Sequence, residues 1–228
     1  MNRFRLCALA PGLALLLTIL LSSCAPVNLY TISMKYLPQD TPPSSSVRGG
    51  NIPVTVATFI DARDIADTIR IGTVTDSDGR EIPVTPKERR PAEAVTGGVR
   101  QCLAEEGYSL SPESPAWDLR SDSIDKLWGT VLLIGGSIDR LEIVCHKEGF
   151  KKTYRTDVKL TMVFGDARKG TILRRTEAAA ASSLEHVSFS EEMLGEQISK
   201  TLSKAIRQVC ADGETIRRIL EQLKREGG

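Results

Sequence analysis

Val158, Leu160, Met162 and Phe164 alternate with Lys159, Thr161 and Val163. A period of two places the two sets on opposite faces of one strand. Before this segment lies the apolar run WGTVLLIGGSIDRLEIVC over 128–145, where Gly135-Gly136 predicts a bulge or bend. After it, Gly165-Asp166-Ala167-Arg168-Lys169-Gly170 is turn-like and leads to a further strand from Thr171. Three consecutive strands with short connections predict an antiparallel meander. A meander of this kind has an apolar face that other elements must cover.

Helices supply the cover. Pro91 stands at a favourable first-turn position, and Val95, Val99, Cys102 and Leu103 share one helix face. Gly97 and Gly98 weaken that helix and Gly107 stops it. Near the C-terminus, Ser188 with Glu191 fits a capping box ahead of the stripe Leu194, Ile198, Leu202, Ala205, Ile206 and Val209. Asp212-Gly213 breaks the helix, and Ile216, Ile219, Leu220 and Leu223 predict a shorter amphipathic one over 212–228. Upstream, Val54 and Val56 lead a strand into Phe59-Ile60, and 66–84 reads as a hairpin turning at Asp76-Ser77-Asp78-Gly79. Pro83 and Pro86 should confine its return strand to an edge. The expected fold class is α+β: a single two-layer domain over 51–211, with a mixed, mostly antiparallel sheet and helices packed on one face. Trp117 and Trp128 bracket a polar loop and are expected to pack beneath it.

Residues 1–23 read as an export signal. Arg3 and Arg5 precede an apolar stretch, Leu6 to Leu21, shorter than the roughly 20 residues a membrane-spanning helix needs. Leu21-Ser22-Ser23-Cys24 resembles the bacterial lipobox, which implies a diacylglycerol on the Cys24 sulfur and a second acyl chain on the new α-amino group. Two chains make anchoring firm, whereas one alone is marginal. Ala25 follows where an inner-membrane retention signal carries Asp, so the expected address is the periplasmic face of the outer membrane. Residues 24–50 read as a tether: LPQDTPPSSSVRGG over 37–50 has little to bury, although a short strand over 29–36 is foreshadowed by Tyr30, Ile32, Met34 and Tyr36.

Chemistry is sparsely written. The formal charge of +1 becomes −1 once Arg3 and Arg5 leave with the signal, so no basic footprint for nucleic acid exists. With only His146 and His186, no His-rich metal site is expected, and no cofactor motif is present. Cys145 and His146 adjoin in sequence, so a strand points them to opposite faces and they cannot act as a catalytic pair. No nucleophile, base and orienting group can be assembled, and the chain is expected not to be an enzyme. Cys102, Cys145 and Cys210 allow one disulfide at most. Cys102 lies on the apolar face of its helix, which leaves Cys145 with Cys210 as the expected pair. Arg63, in Asp61-Ala62-Arg63-Asp64 at the end of the first strand, is either a ligand or partner clamp or a local ion pair that holds the strand exit.

Taken together, lipobox Cys24, the strand running into Asp61-Ala62-Arg63, the helix ending in Glu106-Gly107-Tyr108, and Asp157-x-Lys159-Leu160-x-Met162 before a long last helix resemble the YajG-like bacterial lipoproteins. The resemblance spans about 51–211. It implies a lipid-anchored periplasmic domain without catalytic residues, acting as an interaction or assembly module on another envelope protein. The hairpin at 66–84, the three cysteines and the helix after Asp212 depart from that pattern. Asn28-Leu29-Tyr30-Thr31-Ile32 is similar to the opening of auxiliary lipoproteins of lipid-trafficking ABC systems, which implies an accessory role in lipid transport as the alternative.

Overall fold

The computed structural model describes residues 28–38, 53–125, 130–210 and 213–225. The signal, Cys24 and Trp128 lie outside the described residues. Eight strands form one mixed sheet: β1 (Tyr30–Ile32), β2 (Val54–Val56), β3 (Ile60–Asp61), β4 (Gly72–Thr75), β5 (Glu81–Pro86), β6 (Leu132–Glu148), β7 (Lys151–Asp166) and β8 (Thr171–His186). Three α-helices accompany it: α1 (Pro91–Glu105), α2 (Glu191–Cys210) and α3 (Gly213–Arg225). The domain is α+β, as the alternation and the helical stripes predict.

The 17-residue β6 is the spine. Along one side it pairs antiparallel with β7, from Leu132 opposite Asp166 to Glu148 opposite Lys151, and β7 pairs in turn with β8. Along its other side β2, β3 and β4 follow one another, all parallel to it. Only a strand this long can carry three short partners in succession. The bulge falls between Ile138 and Arg140, not at the glycine pair. Gly135 and Gly136 instead admit rings on opposite faces: a Cβ on Gly135 would lie 2.6 Å from the Trp117 indole, and one on Gly136 would run into the Phe59 ring.

The return strand of the hairpin is not an edge. β5 lies between β4 and β1, with Pro86 opposite Ile32. Strand pairing there needs few donors. Beyond Pro86, Lys87 N–H bonds the Ile32 carbonyl at 2.9 Å, so the missing proline N–H falls outside the ladder.

All three helices contribute to the main core. Pro91 opens α1, and Gly107, with φ +85°, closes it. Ser190 caps α2 by accepting from Met193 N–H at 3.1 Å; Ser188, expected as the cap, bonds His186 instead. The α2 stripe Leu194, Ile198, Leu202, Ala205, Ile206 and Val209 is buried against the sheet, and Ile216, Ile219, Leu220 and Leu223 of α3 join the same core. A second, smaller core covers one end of the opposite sheet face, where Trp117, Leu119 and Ile124 from the 109–125 loop pack on Leu133 and Val163. Trp117 does lie beneath its loop, donating to the Arg120 carbonyl at 2.9 Å. The rest of that face is polar, with cross-strand pairs such as Arg140–Asp157 at 2.7 Å and Lys159–Glu177 at 2.8 Å, the usual pattern for a sheet solvated on one side.

Candidate functional site

Arg63 leaves β3 and folds back under the β3–β4 connection, with 8% of its surface exposed. A guanidinium has five N–H donors. Nε and one Nη donate to the two Asp61 carboxylate oxygens at 2.8 and 2.7 Å. The remaining three reach the carbonyls of Thr68 at 2.7 Å, Arg70 at 2.9 Å and Leu141 at 3.2 Å. Every donor is engaged, so Arg63 has none to offer a ligand or partner. The strand-exit reading describes it, and the clamp reading is corrected. The nearby cleft of about 530 Å³ is open to solvent and is lined by Asp139, Arg140 and Glu142 besides this loop.

The three cysteines are buried free thiols. Cys145 faces the core opposite Tyr154 in the β6–β7 register, and burial pushes its pKa up to about 11. Tyr154 donates to the Ser188 carbonyl at 3.2 Å and stacks on Phe189, which places Cys145 near the start of α2. Cys210 is the last residue of α2. A helix of 20 residues is roughly 30 Å long, and bridged Cα atoms lie within about 7 Å. The expected Cys145–Cys210 pairing is therefore corrected. The side chain interacting with Cys210 is Cys102, on the facing surface of α1. The hydrogen bond from Cys210 draws the Cys102 pKa down, whereas Cys210, donating to Cys102 in a buried site, has its own pKa raised. Tyr36 is raised by burial and donates to Glu105 at 3.0 Å.

The most developed polar constellation is one the sequence reading missed. Beyond β1, residues 33–37 run extended along α2. Lys35 N–H bonds Ser199 Oγ at 3.1 Å, Leu37 N–H bonds Ser203 Oγ at 2.8 Å, and Arg207 donates to the Leu37 carbonyl at 2.8 Å. A Cβ on Gly195 would lie 2.7 Å from the Ser33 carbonyl oxygen. Gly195, Ser199, Ser203 and Arg207 recur every four residues and form one rail of the helix. That four-residue spacing is the signal that could have found them. Met34 and Tyr36 are buried between this rail and α1. Residues 28–38, expected as part of a tether with a short strand possible over 29–36, include β1 and pack against the domain. Their leading end is fastened too: Lys147 Nζ contacts Tyr30 Oη at 3.0 Å and Asp76 at 2.9 Å, and lies 3.8 Å from the Phe189 ring centroid. Burial works against the Lys147 charge, yet the bonds to Tyr30 and Asp76 raise its pKa.

Among the described residues, no cluster of His, Cys, Asp and Glu could hold a metal ion, and no helix is long and apolar enough to cross a membrane.

The fold defines an α+β class in which a mixed sheet with a long meander carries its helices on one face. Protein XCC0632 from Xanthomonas campestris, of family DUF330, shares it at TM-score 0.53 and 11% identity, over 87% of this chain and 98% of that one. Lipoprotein GNA1162 from Neisseria meningitidis is matched over 65% of this chain and 94% of that chain at 13% identity, with a TM-score of only 0.37. No family model matches this chain, and no curated protein matches it.

Proposed function

We propose that this protein is a lipoprotein of the bacterial envelope, acylated on Cys24 and held at the periplasmic face of the outer membrane, where it acts without catalysis as an interaction module. The carrying observation is the outer edge of β8. This 16-residue strand ends the sheet, and among the described residues no strand pairs with its free side. Natural proteins protect long edges with charge, proline or bulges. From Ala178 to Ser183 the edge carries only Ala and Ser, with Ala179, Ala181 and Ser183 exposed. Backbone groups on a smooth strand suit a partner that adds a strand of its own.

The interior supports contact over lipid carriage. Between sheet and α2, the apolar stripe is buried, and Thr156, Ser182 and Thr201 close a hydroxyl cluster at 2.6–3.0 Å. An accessory of a lipid-transport system remains the second reading, favoured by one observation. The Asn28–Ile32 segment that resembles such auxiliaries includes a strand of the sheet itself. If that reading holds, the accessory works by docking and not by enclosing lipid.

A photo-crosslinking residue at position 181 in living cells tests the proposal. One discrete adduct is expected at 181 and none at Arg155, on the polar sheet face. Ala181→Lys, placing a gatekeeper charge beside the edge, should abolish partner co-purification without lowering the melting temperature. Equal crosslinking at 181 and 155 would remove the β8 edge from the argument. Intact mass of the membrane-extracted protein reports acylation separately.

A further inference from the structure

Five large apolar side chains stand exposed among the described residues, and the two most exposed meet at one end of the sheet: Phe150 at 94% and Val187 at 77%. Glu148 pairs with Lys151, so Gly149 and Phe150 form the two-residue turn of the β6–β7 hairpin. Gly149, with φ +51°, takes the first central position of a tight turn that fits the II′ type. Nothing in that turn chemistry calls for Phe at the second position, and at this exposure the ring adds nothing to folding. Lys152 pairs with His186, which sets Val187 beside the same tip.

The chain also enters the domain from this end. β1 is parallel to β5, β5 antiparallel to β4, and β4 parallel to β6. β1 therefore runs opposite to β6, and its first residue points back toward the tip. Through β5 and β4, Tyr30 lies level with Ile143, so the hairpin tip stands roughly 17–20 Å ahead of it along the strands. The six Cα–Cα steps from Cys24 to Tyr30 span at most about 20 Å. A lipid on Cys24 thus lies near enough for the tip to meet the bilayer surface when the strands stand upright on it.

We propose that this end is a membrane-contact surface, with Phe150 and Val187 entering the headgroup boundary of the leaflet that holds the Cys24 lipid. The proposal rests on the acylation reading above. The contact is apolar in kind: of the charges flanking the tip, Lys147 pairs with Asp76, Lys151 pairs with Glu185, and Lys152 turns back onto the Gly149 carbonyl. Aromatic and aliphatic side chains at the acyl boundary add to lipid anchorage in proportion to the apolar area they bury.

The full-length protein carrying Phe150→Trp, reconstituted in phosphatidylethanolamine–phosphatidylglycerol vesicles, tests it against the wild type, whose Trp117 and Trp128 set the baseline. The added tryptophan is expected to emit at shorter wavelength in vesicles and to lose emission when the acyl chains are brominated, with no dependence on salt. Intact mass is measured on the same sample. Protein without acyl mass overturns the anchoring reading and the contact with it. Acylated protein whose added tryptophan is unquenched by brominated lipid overturns the contact alone. A blue shift already present in detergent without vesicles, accompanied by self-association, assigns the surface to a second copy and overturns it equally.

Discussion

At Arg63, five donors meet five acceptors, and the energetics follow from that stoichiometry. Removing the guanidinium strands the Asp61 carboxylate and three carbonyls in a largely buried site, and losing one partner of a buried pair costs about 3–5 kcal/mol. Arg63→Ala should lower the unfolding free energy by that order, read from the denaturant midpoint. Arg63→Lys should recover little, since an ammonium has three donors and no planar fork. A near-neutral Arg63→Ala would mean that the loop does not depend on the clamp. Cys145 makes a different statement. Burial raises its pKa from the ordinary thiol value of 9.0 to about 11, so the folded state binds the proton more tightly than the unfolded chain does. Its contribution is complete below about pH 9 and is lost as pH rises toward 11. Stability should fall across that window, and less steeply in Cys145→Ala; unchanged steepness would assign the fall to other groups. Some of this was legible: Asp61 and Arg63 stand two apart at a strand exit, and an alternating strand forces Cys145 inward. The pairing of Cys102 with Cys210 was not, because connectivity depends on how α1 and α2 cross.

The elements themselves were largely legible, because alternation over 158–164 and the α2 stripe each report the face that is buried. Less legible was what uses the other faces. Gly97-Gly98 reads as a weakness in α1 until Tyr36 and Ile206 are seen against Gly98, where a Cβ would lie 3.0 and 2.7 Å from them. The Gly195–Ser199–Ser203–Arg207 rail likewise has no meaning until the 33–37 segment lies on it. Gly195→Ala separates the two roles. In isolation, Ala favours a helix over Gly by roughly 0.5–1 kcal/mol, but here the added methyl meets the Ser33 carbonyl. Residues 33–37 should exchange amide hydrogen faster while α2 keeps its protection; unchanged exchange would show that the rail is not what holds them. Across the other side of α2, mild oxidation with diamide should yield a Cys102–Cys210 cross-link and leave Cys145 free, as read by peptide mapping without reductant. Such a bond closes a loop of roughly 100 residues, which the loop-entropy argument values at about 4–5 kcal/mol. A peptide joining Cys145 to either partner would contradict the packing of α2.

For the whole molecule, if Cys24 is acylated as proposed, the decisive distance is the one between that lipid and the first described residue. A tether running to residue 50 would leave the domain free to search a layer of periplasm, whereas a chain whose described part begins at Asn28 leaves three residues between it and Cys24. The four steps from Cys24 to Asn28 span about 14 Å at most. On the proposed reading, anchorage then sets orientation as well as address: one sheet end toward the bilayer and the β8 edge standing away from it. Inserting 20 Gly/Ser residues after Ala25 tests whether orientation matters. The insertion adds a root-mean-square reach of roughly 25 Å, and it leaves the lipobox and every described contact untouched. Acyl mass and melting temperature should match the wild type, while complementation of a deletion strain and quenching of Phe150→Trp by brominated lipid both decline. If the lengthened protein restores function fully with quenching lost, address alone is sufficient and the short connection serves no end beyond joining lipid to domain.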